Sequence, residues 1–560
     1  APVAPVAPAA PVAPVAPVAP VAPVAPVAPV APVAPVAPAA PARPYRTPAS
    51  IAYALFLVAA GFCFWEWELD GRGLNGIGAT VFFIALIVGT LLYFVSNGIK
   101  QSVRSGILLG VAVAGALPFA LCGPRGINVL LFMFEALVCL MWAACSCHSL
   151  LKRMLDGFVV VDLARHSLVV PFRHFGWMFL CLASLFGRLV RGKRARKAVL
   201  VGLVGLVATV PLLLCVIVLL SAADDGFYAL VDHALVTLMA LDPARLVEYA
   251  GELVIGLPVA CYVFGATVGN VAQRLRPSWG GDQKTGGRLA QAHEVEQSVG
   301  RLRIVPPALF ALPLGVFAFV YLVFFIAMGS YLFSALQGEL PESLTYAQYA
   351  RRGFFELCCV AAINLVIVAF VHLTVRRRHD GTEAGAGPGA RGRIPRAICL
   401  VGGIVSLETC LLVVVAASKM LLYIDAYGLT RLRLYTIWFM LLLLAAFVLL
   451  TLWHMRRFNM ARPLVAVACA LTLALGLVNT DAIIAHYNVD RYLSGKTEEV
   501  DVQMLATGLP GAGLSPLMRL QDEAPDSDVR LKAAAVIREK NKADAKDELP
   551  WYRWSLVRLP

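Results

Sequence analysis

Charge is the first thing this sequence lacks. Only 15% of its 560 residues are Asp, Glu, Lys or Arg, against 59% that are hydrophobic. A water-soluble chain with that balance would have too little polar surface to cover itself. Lipid must therefore solvate much of its apolar area. Signatures of chemistry are missing too. No Walker loop, Gly-rich dinucleotide turn, nucleophile elbow or HExxH pair occurs, so the usual motifs for nucleotide, hydride, acyl-transfer and zincin chemistry are absent. No cofactor and no metal site is expected. The 13 Cys fall within or at the edges of apolar runs, which is not the loop placement of a disulfide framework. Cys145 with Cys147, and adjacent Cys358 with Cys359, lack zinc-ligand spacing and read as small core residues. The nine His show no paired spacing. His372, His379 and His454 fall at helix ends and read as solvated or interfacial.

What the chain has is long apolar runs. Eleven lie at about 49–66, 77–97, 104–122, 127–146, 198–221, 249–272, 304–327, 353–375, 397–418, 434–453 and 463–483. Each has the length a helix needs to cross ~30 Å of hydrocarbon. Pro118, Pro211, Pro258 and Pro313 sit inside runs and are tolerable there, because neighbouring helices can satisfy the freed carbonyls.

The loops predict an orientation. Lys and Arg crowd every second gap, which under the positive-inside rule favours a cytoplasmic N-terminus and an outer C-terminus. The net charge of +13 then lines the cytoplasmic surface and faces anionic lipid, and no nucleic acid partner is needed to account for it. Residues 166–190 are apolar but include Arg173, His174 and Gly176. They read as an interfacial or re-entrant helix with Trp177 in the headgroup zone. The basic run Arg188, Arg191, Lys193, Arg194, Arg196 and Lys197 follows, in the form of an anionic-lipid anchor or an ordinary stop signal.

The two ends differ from the middle. Residues 1–42 repeat Ala-Pro-Val with period three. A Pro at every third position forbids a helix. The tract reads as polyproline II, at most ~130 Å long, and the lack of a Gly at every third position excludes collagen. It is a spacer or a ligand for a proline-binding module. No cleavable signal peptide is expected, because the first apolar run lacks a small-residue cleavage site and continues into Trp65-Glu66-Trp67. After Ile484 comes a polar tail in which Asp526 and Asp528 can cap a helix running to about Asp547. Trp551, Tyr552 and Trp554 form an aromatic cluster beyond it.

The expected fold is all-α. It is a polytopic transmembrane bundle of about 11 spans, N-in and C-out, with a disordered polyproline tract and a small polar tail. The divisions are 1–48 for the tract, 49–146 for the first four spans, 147–197 for a basic cytoplasmic loop, 198–483 for the remaining spans and 484–560 for the tail.

Three strings are unusually specific: LTYAQYARRGFFEL at Leu344–Leu357, IDAYGLTRLRLYT at Ile424–Thr436 and VNTDAIIAHYNVDRY at Val478–Tyr492. In order and spacing they resemble the bacterial membrane family named domain of unknown function 4173, with its relative numbered 4153. The closing WYRWSL is similar to that family's C-terminal end. Asn479-Thr480-Asp481 stands where the family usually has Asn-Pro-Asp, and His486 where it usually has Arg. The resemblance implies a multi-pass protein of the bacterial cytoplasmic membrane. It implies no activity.

All three strings lie at the expected outer ends of spans and mix aromatic with charged residues. Tyr349, Arg351, Arg352, Glu356, Asp425, Arg431, Arg433, Asp481, Asn488 and Arg491 thus form a candidate polar belt. Tyr346, Tyr427 and Asp490 lie beside them. Arg352 and Glu356 are four apart and can pair on a helix. Such a belt can bind a polar headgroup or anionic solute, or it can simply close the bundle. Glu135 and Glu408 fall near the middle of spans. An ionised carboxylate there costs a few kcal/mol or more, so such a residue is usually protonated, paired or facing water. A proton relay is the functional reading. The structural alternative is a hydrogen bond to another helix, such as one offering Asn364 or Ser406.

Three functions remain open. One is a membrane-embedded binding or transport protein, supported by the carboxylates and the Pro-containing helices. A second is a membrane enzyme acting on a lipid-linked substrate at the outer face, with Glu66, Glu68 and Asp70 in the first outer loop. The third is an envelope scaffold that meets a protein partner through its tail or the Ala-Pro-Val arm. Oligomeric state is not legible.

Overall fold

The computed structural model describes residues 44–64, 76–121, 126–151, 158–189, 243–275, 300–327, 354–376, 394–509 and 514–546, with isolated positions between them. The Ala-Pro-Val tract, the fifth expected run at 198–221 and the aromatic cluster at Trp551–Trp554 lie outside the described residues. So do Glu66, Glu68, Asp70 and His379.

Among the described residues the secondary structure is helical. The elements are α1 Pro48–Phe64, α2 Ile77–Ser96, α3 Val103–Leu121, α4 Asn128–Ser146, α5 Val159–Arg173, α6 Trp177–Leu189, α7 Pro243–Leu275, α8 Pro307–Ala327, α9 Phe354–Thr374, α10 Arg396–Tyr427, α11 Arg431–Met455, α12 Ala461–Leu477, α13 Thr480–Leu493, α14 Ser515–Glu523 and α15 Ser527–Lys546. Eight are long and apolar enough to cross a membrane, or up to ten if each of two bent pairs is one span; α1 is a shorter apolar helix of 17 residues. The apolar runs at these positions are therefore helices. α3, α7 and α8 run through Pro118, Pro258 and Pro313.

The helices form two groups. In the first, α1 packs along α7, α2 on α3 and α3 on α4. Gly61 and Gly256 make the α1–α7 contact possible, because a Cβ at either would meet the other's carbonyl. In the second, α10 packs against α8, α9 and α11. α12 joins the groups: Gly476 lies against Pro118 and Leu131, and Leu475 completes a cluster with Phe83, Phe119 and Leu131. Large apolar side chains such as Leu92, Leu312, Phe319 and Val366 point outward, as lipid-facing positions do.

Two segments are bent pairs of helices. The last apolar run was expected to span at 463–483. Instead α12 stops at Leu477 and the chain bends by 66° into α13. The cause is local. Asn479 caps α13, its Oδ1 accepting from the Ala482 N–H at 3.1 Å. Residues 166–190 form α5 and α6, bent by 42°, with a π-turn at Arg165–Val169. Met178 and Cys181 are buried while Phe172, Phe179 and Leu180 are exposed. The Trp177 ring packs on Tyr45, with centroids 5.1 Å apart, and on His174.

The polar tail is part of the core. Leu505, Leu517, Leu520 and Ala533 share one buried cluster with Ile484, Val489, Ile424 and Phe447. The tail helix forms over Ser527–Lys546, where the sequence placed it. Asp526 caps its start, with Oδ1 accepting from the Asp528 N–H at 2.9 Å.

Candidate functional site

Six of the seven described residues of the belt come together around one turn. α10 ends at Tyr427 and α11 begins at Arg431, so three residues reverse the chain. Gly428 has φ +78°, a left-handed conformation that favours Gly. Asn488 of α13 grips this turn at two points. Its Oδ1 accepts from the Leu429 N–H at 2.8 Å, and its Nδ2 donates to the Leu429 carbonyl at 2.9 Å. A Cβ at Gly428 would lie 2.7 Å from that Oδ1. Arg433 donates to the Tyr427 and Gly428 carbonyls and stacks its guanidinium on the Tyr423 ring at 4.1 Å.

Ion pairs fasten the same turn to α13. Arg431 meets Asp481 in a bidentate pair, Nε to Oδ1 at 2.7 Å and Nη2 to Oδ2 at 2.5 Å. The Asp481 side chain is fully buried and that of Arg431 is 27% exposed. Arg491 donates to Asp425 at 3.1 Å and to the Ile424 carbonyl. Asp490 extends the set to the tail by accepting from Arg519 of α14 at 2.7 Å. Hydrogen bonds to Asp490 and then Glu523 raise the Arg519 guanidinium above its ordinary value, so it is cationic at any accessible pH. Six belt residues are thus occupied with one another or with backbone: Asp425, Arg431, Arg433, Asp481, Asn488 and Arg491.

Glu356 stands apart. It is exposed on α9, and its charge reaches Lys419 of α10. Tyr349, Arg351 and Arg352 lie outside the described residues, so the Arg352–Glu356 pair does too. The same is true of Arg191, Lys193, Arg194, Arg196, Lys197 and the side chain of Arg188.

The two intramembrane carboxylates sit in different helix groups. Glu135 of α4 is fully buried. Its Oε1 accepts from the Cys139 thiol at 3.4 Å, and its Oε2 has no partner. Gly115 of α3 makes room for that oxygen, since a Cβ there would collide with it. Glu408 of α10 is 9% exposed, and its Oε2 also has no partner. The expected bonds from Asn364 or Ser406 do not reach it. Asn364 Nδ2 instead donates to Thr409 Oγ1 at 2.9 Å, and Ser406 donates to the Gly402 carbonyl. The reason is geometric: Thr409, not Glu408, faces α9. Tyr321 of α8 completes a row by donating to Asn364 Oδ1 at 2.7 Å. The Glu408 carboxylate is close enough to act on Tyr321 electrostatically.

Buried polar groups that sequence reasoning missed lie on or beside α4, α5, α7, α9 and α11. His454 is 8% exposed and its Nε2 lies 3.0 Å from His372 Nε2. Of the two readings of His454, solvated or interfacial, burial removes the first, and His166 and His174 are buried as well. Glycines leave space for two of these rings, Gly402 for His454 and Gly269 for His174. Asp162 is buried with Oδ1 accepting from the Leu151 N–H at 3.0 Å, and Glu252 is buried on α7. Ser149 donates to Asn270, and Trp142 and Ser146 both donate to Gln101. Spacing gave no sign of these, because the partners lie far apart along the chain. Among the described residues no three His, Cys, Asp or Glu come together to hold a metal, and no disulfide joins the described cysteines.

Long apolar helices with a few buried polar residues between them define a multi-pass integral membrane protein. The chain belongs to the family described as Domain of unknown function (DUF4153), which matches residues 82–520. That is the relative named alongside domain of unknown function 4173, to which the three strings were compared. No curated protein and no solved structure matches the chain.

Proposed function

We propose that the chain is a transport-like protein of the bacterial cytoplasmic membrane that binds a proton or small cationic solute at Glu408. One observation carries this reading. Glu408 presents a buried carboxylate oxygen with no partner beside a hydrogen-bonded row, Tyr321–Asn364–Thr409, that ties three membrane helices together. A buried acid without a fixed counter-charge is free to exchange one. Reconstituted vesicles test this. Solute-driven or proton-driven flux is expected in the parent protein and lost in Glu408→Gln, while flux equal to the parent's would remove the reading's support. In this proposal the N-terminus is cytoplasmic, the tail is outside and the basic loops face anionic lipid. The basic-residue alternation supports that arrangement. The three strings further support a place near domain of unknown function 4173.

A second reading is an envelope scaffold, favoured by the Arg491–Asp425 ion pair and the shared apolar cluster that hold the tail against the membrane helices. A tail so fastened presents α15 in a fixed pose, with Leu531 71% exposed. If this reading holds, Leu531→Asp releases a co-purifying envelope partner and leaves flux unchanged.

A further inference from the structure

A groove of about 690 Å³ opens between α9 and α11. Leu365, Val368 and Ala369 of α9 and Leu450 of α11 line its length, while His372, Trp453 and Arg457 line one end. From Leu365 to His372 is seven residues, so roughly 10 Å of apolar wall lies below a polar rim. That is the profile of a lipid, with a chain below and a headgroup above.

The rim has the charge to choose the headgroup. Arg457 is exposed, with its guanidinium over the Trp453 ring at 4.1 Å and its Nη2 on Cys399 Sγ. Among the described residues no carboxylate pairs with it, and Arg456 follows α11 directly. The start of α12 closes the same end, and its dipole adds positive potential. His372 is held in place by a chain of bonds. His454 Nδ1 lies 2.7 Å from the Leu450 carbonyl, which can only accept, so Nδ1 carries the proton. His454 Nε2 must then accept, and His372 Nε2–H donates to it. The His372 ring is thereby fixed at the rim.

We propose that this groove is a specific site for an anionic phospholipid, with its phosphate at Arg457, beside the fixed His372 ring, and one acyl chain along Leu365, Val368 and Leu450. The site is independent of Glu408 and of the function proposed for it. Phosphatidylcholine would fill the apolar wall equally well and carries the same phosphate, but it brings a quaternary ammonium to a rim that is already positive.

Native mass spectrometry of the full chain in detergent, with phosphatidylglycerol or phosphatidylcholine added, tests the site. Phosphatidylglycerol is expected to be retained over phosphatidylcholine by about fivefold, the factor equivalent to ~1 kcal/mol per basic residue at a membrane surface. Arg457→Ala should abolish the preference. Ala369→Trp, at an exposed position, should fill the groove and lower retention of both lipids. Arg538→Ala, on the exposed face of α15, should change nothing. The proposal is overturned by equal retention of the two lipids in the parent. It is overturned equally by a preference that survives Arg457→Ala and Ala369→Trp, or by an equal loss in Arg538→Ala, which would mark diffuse charge rather than a site.

Discussion

Asp481 is a fully buried carboxylate held in a bidentate pair by the Arg431 guanidinium. Removing Arg431 would take the bidentate partner from that buried charge. Arg431→Ala is therefore expected to destabilise the protein by about 3–5 kcal/mol, read as a lowered thermal midpoint in detergent. Arg431→Lys should recover only part of the loss, because an ammonium cannot make the bidentate pair. Gly428 offers a second test of the same turn. Gly428→Ala forces a Cβ onto a positive φ and against Asn488, at a cost of about 1–3 kcal/mol. Stability unchanged by either substitution would mean that the turn does not close as described. Glu135 is expected to behave in the opposite way. Glu135→Gln keeps the shape and removes only the ionisable proton, so stability should move by no more than about 1 kcal/mol. A large loss there would reveal a counter-charge that Glu135 needs.

Helices in this chain are set by apolar length, but their partners are set by small residues. α1 and α7 touch through Gly61 and Gly256, each lying under the other's carbonyl. Small residues at such contacts let backbones approach where lipid supplies no hydrophobic drive for association. Gly256→Leu is expected to separate α1 from α7, with loss of the monodisperse peak in detergent; Gly106→Leu, where nothing lies within reach of a Cβ, should be silent. The helices themselves were legible from the sequence because run length and hydropathy are local. Their ends were less so. The bend between α12 and α13 depends on an Asn479 cap inside the run that the sequence reading extends to residue 483. The burial of His454 depends on Gly402, a residue about fifty positions away.

The whole molecule ties its tail to its membrane helices. Leu505, Leu517 and Leu520 share a cluster with Ile424 and Phe447, and Arg519 holds Asp490. Truncation after Gly495 is expected to expose Ile484 and Val489 and cause aggregation, measured by size-exclusion chromatography. Sidedness is tested by labelling single cysteines introduced at Arg393 and Lys540, which the proposed orientation puts on opposite sides of the membrane. Labelling of both from one side would overturn it.

Composition alone determined that this chain lives in lipid and is helical there, since a backbone without water must bond to itself within each run. The belt was legible as a set of residues, Arg431 and Asp481 among them, because three charged and aromatic strings recur at span ends. Whether those charges reach outward or meet one another was decided only by tertiary structure. Pairing depends on which helices become neighbours, and that choice rests on long-range fits such as Asn488 on Leu429 and Gly61 against Gly256. No spacing along the chain encodes them.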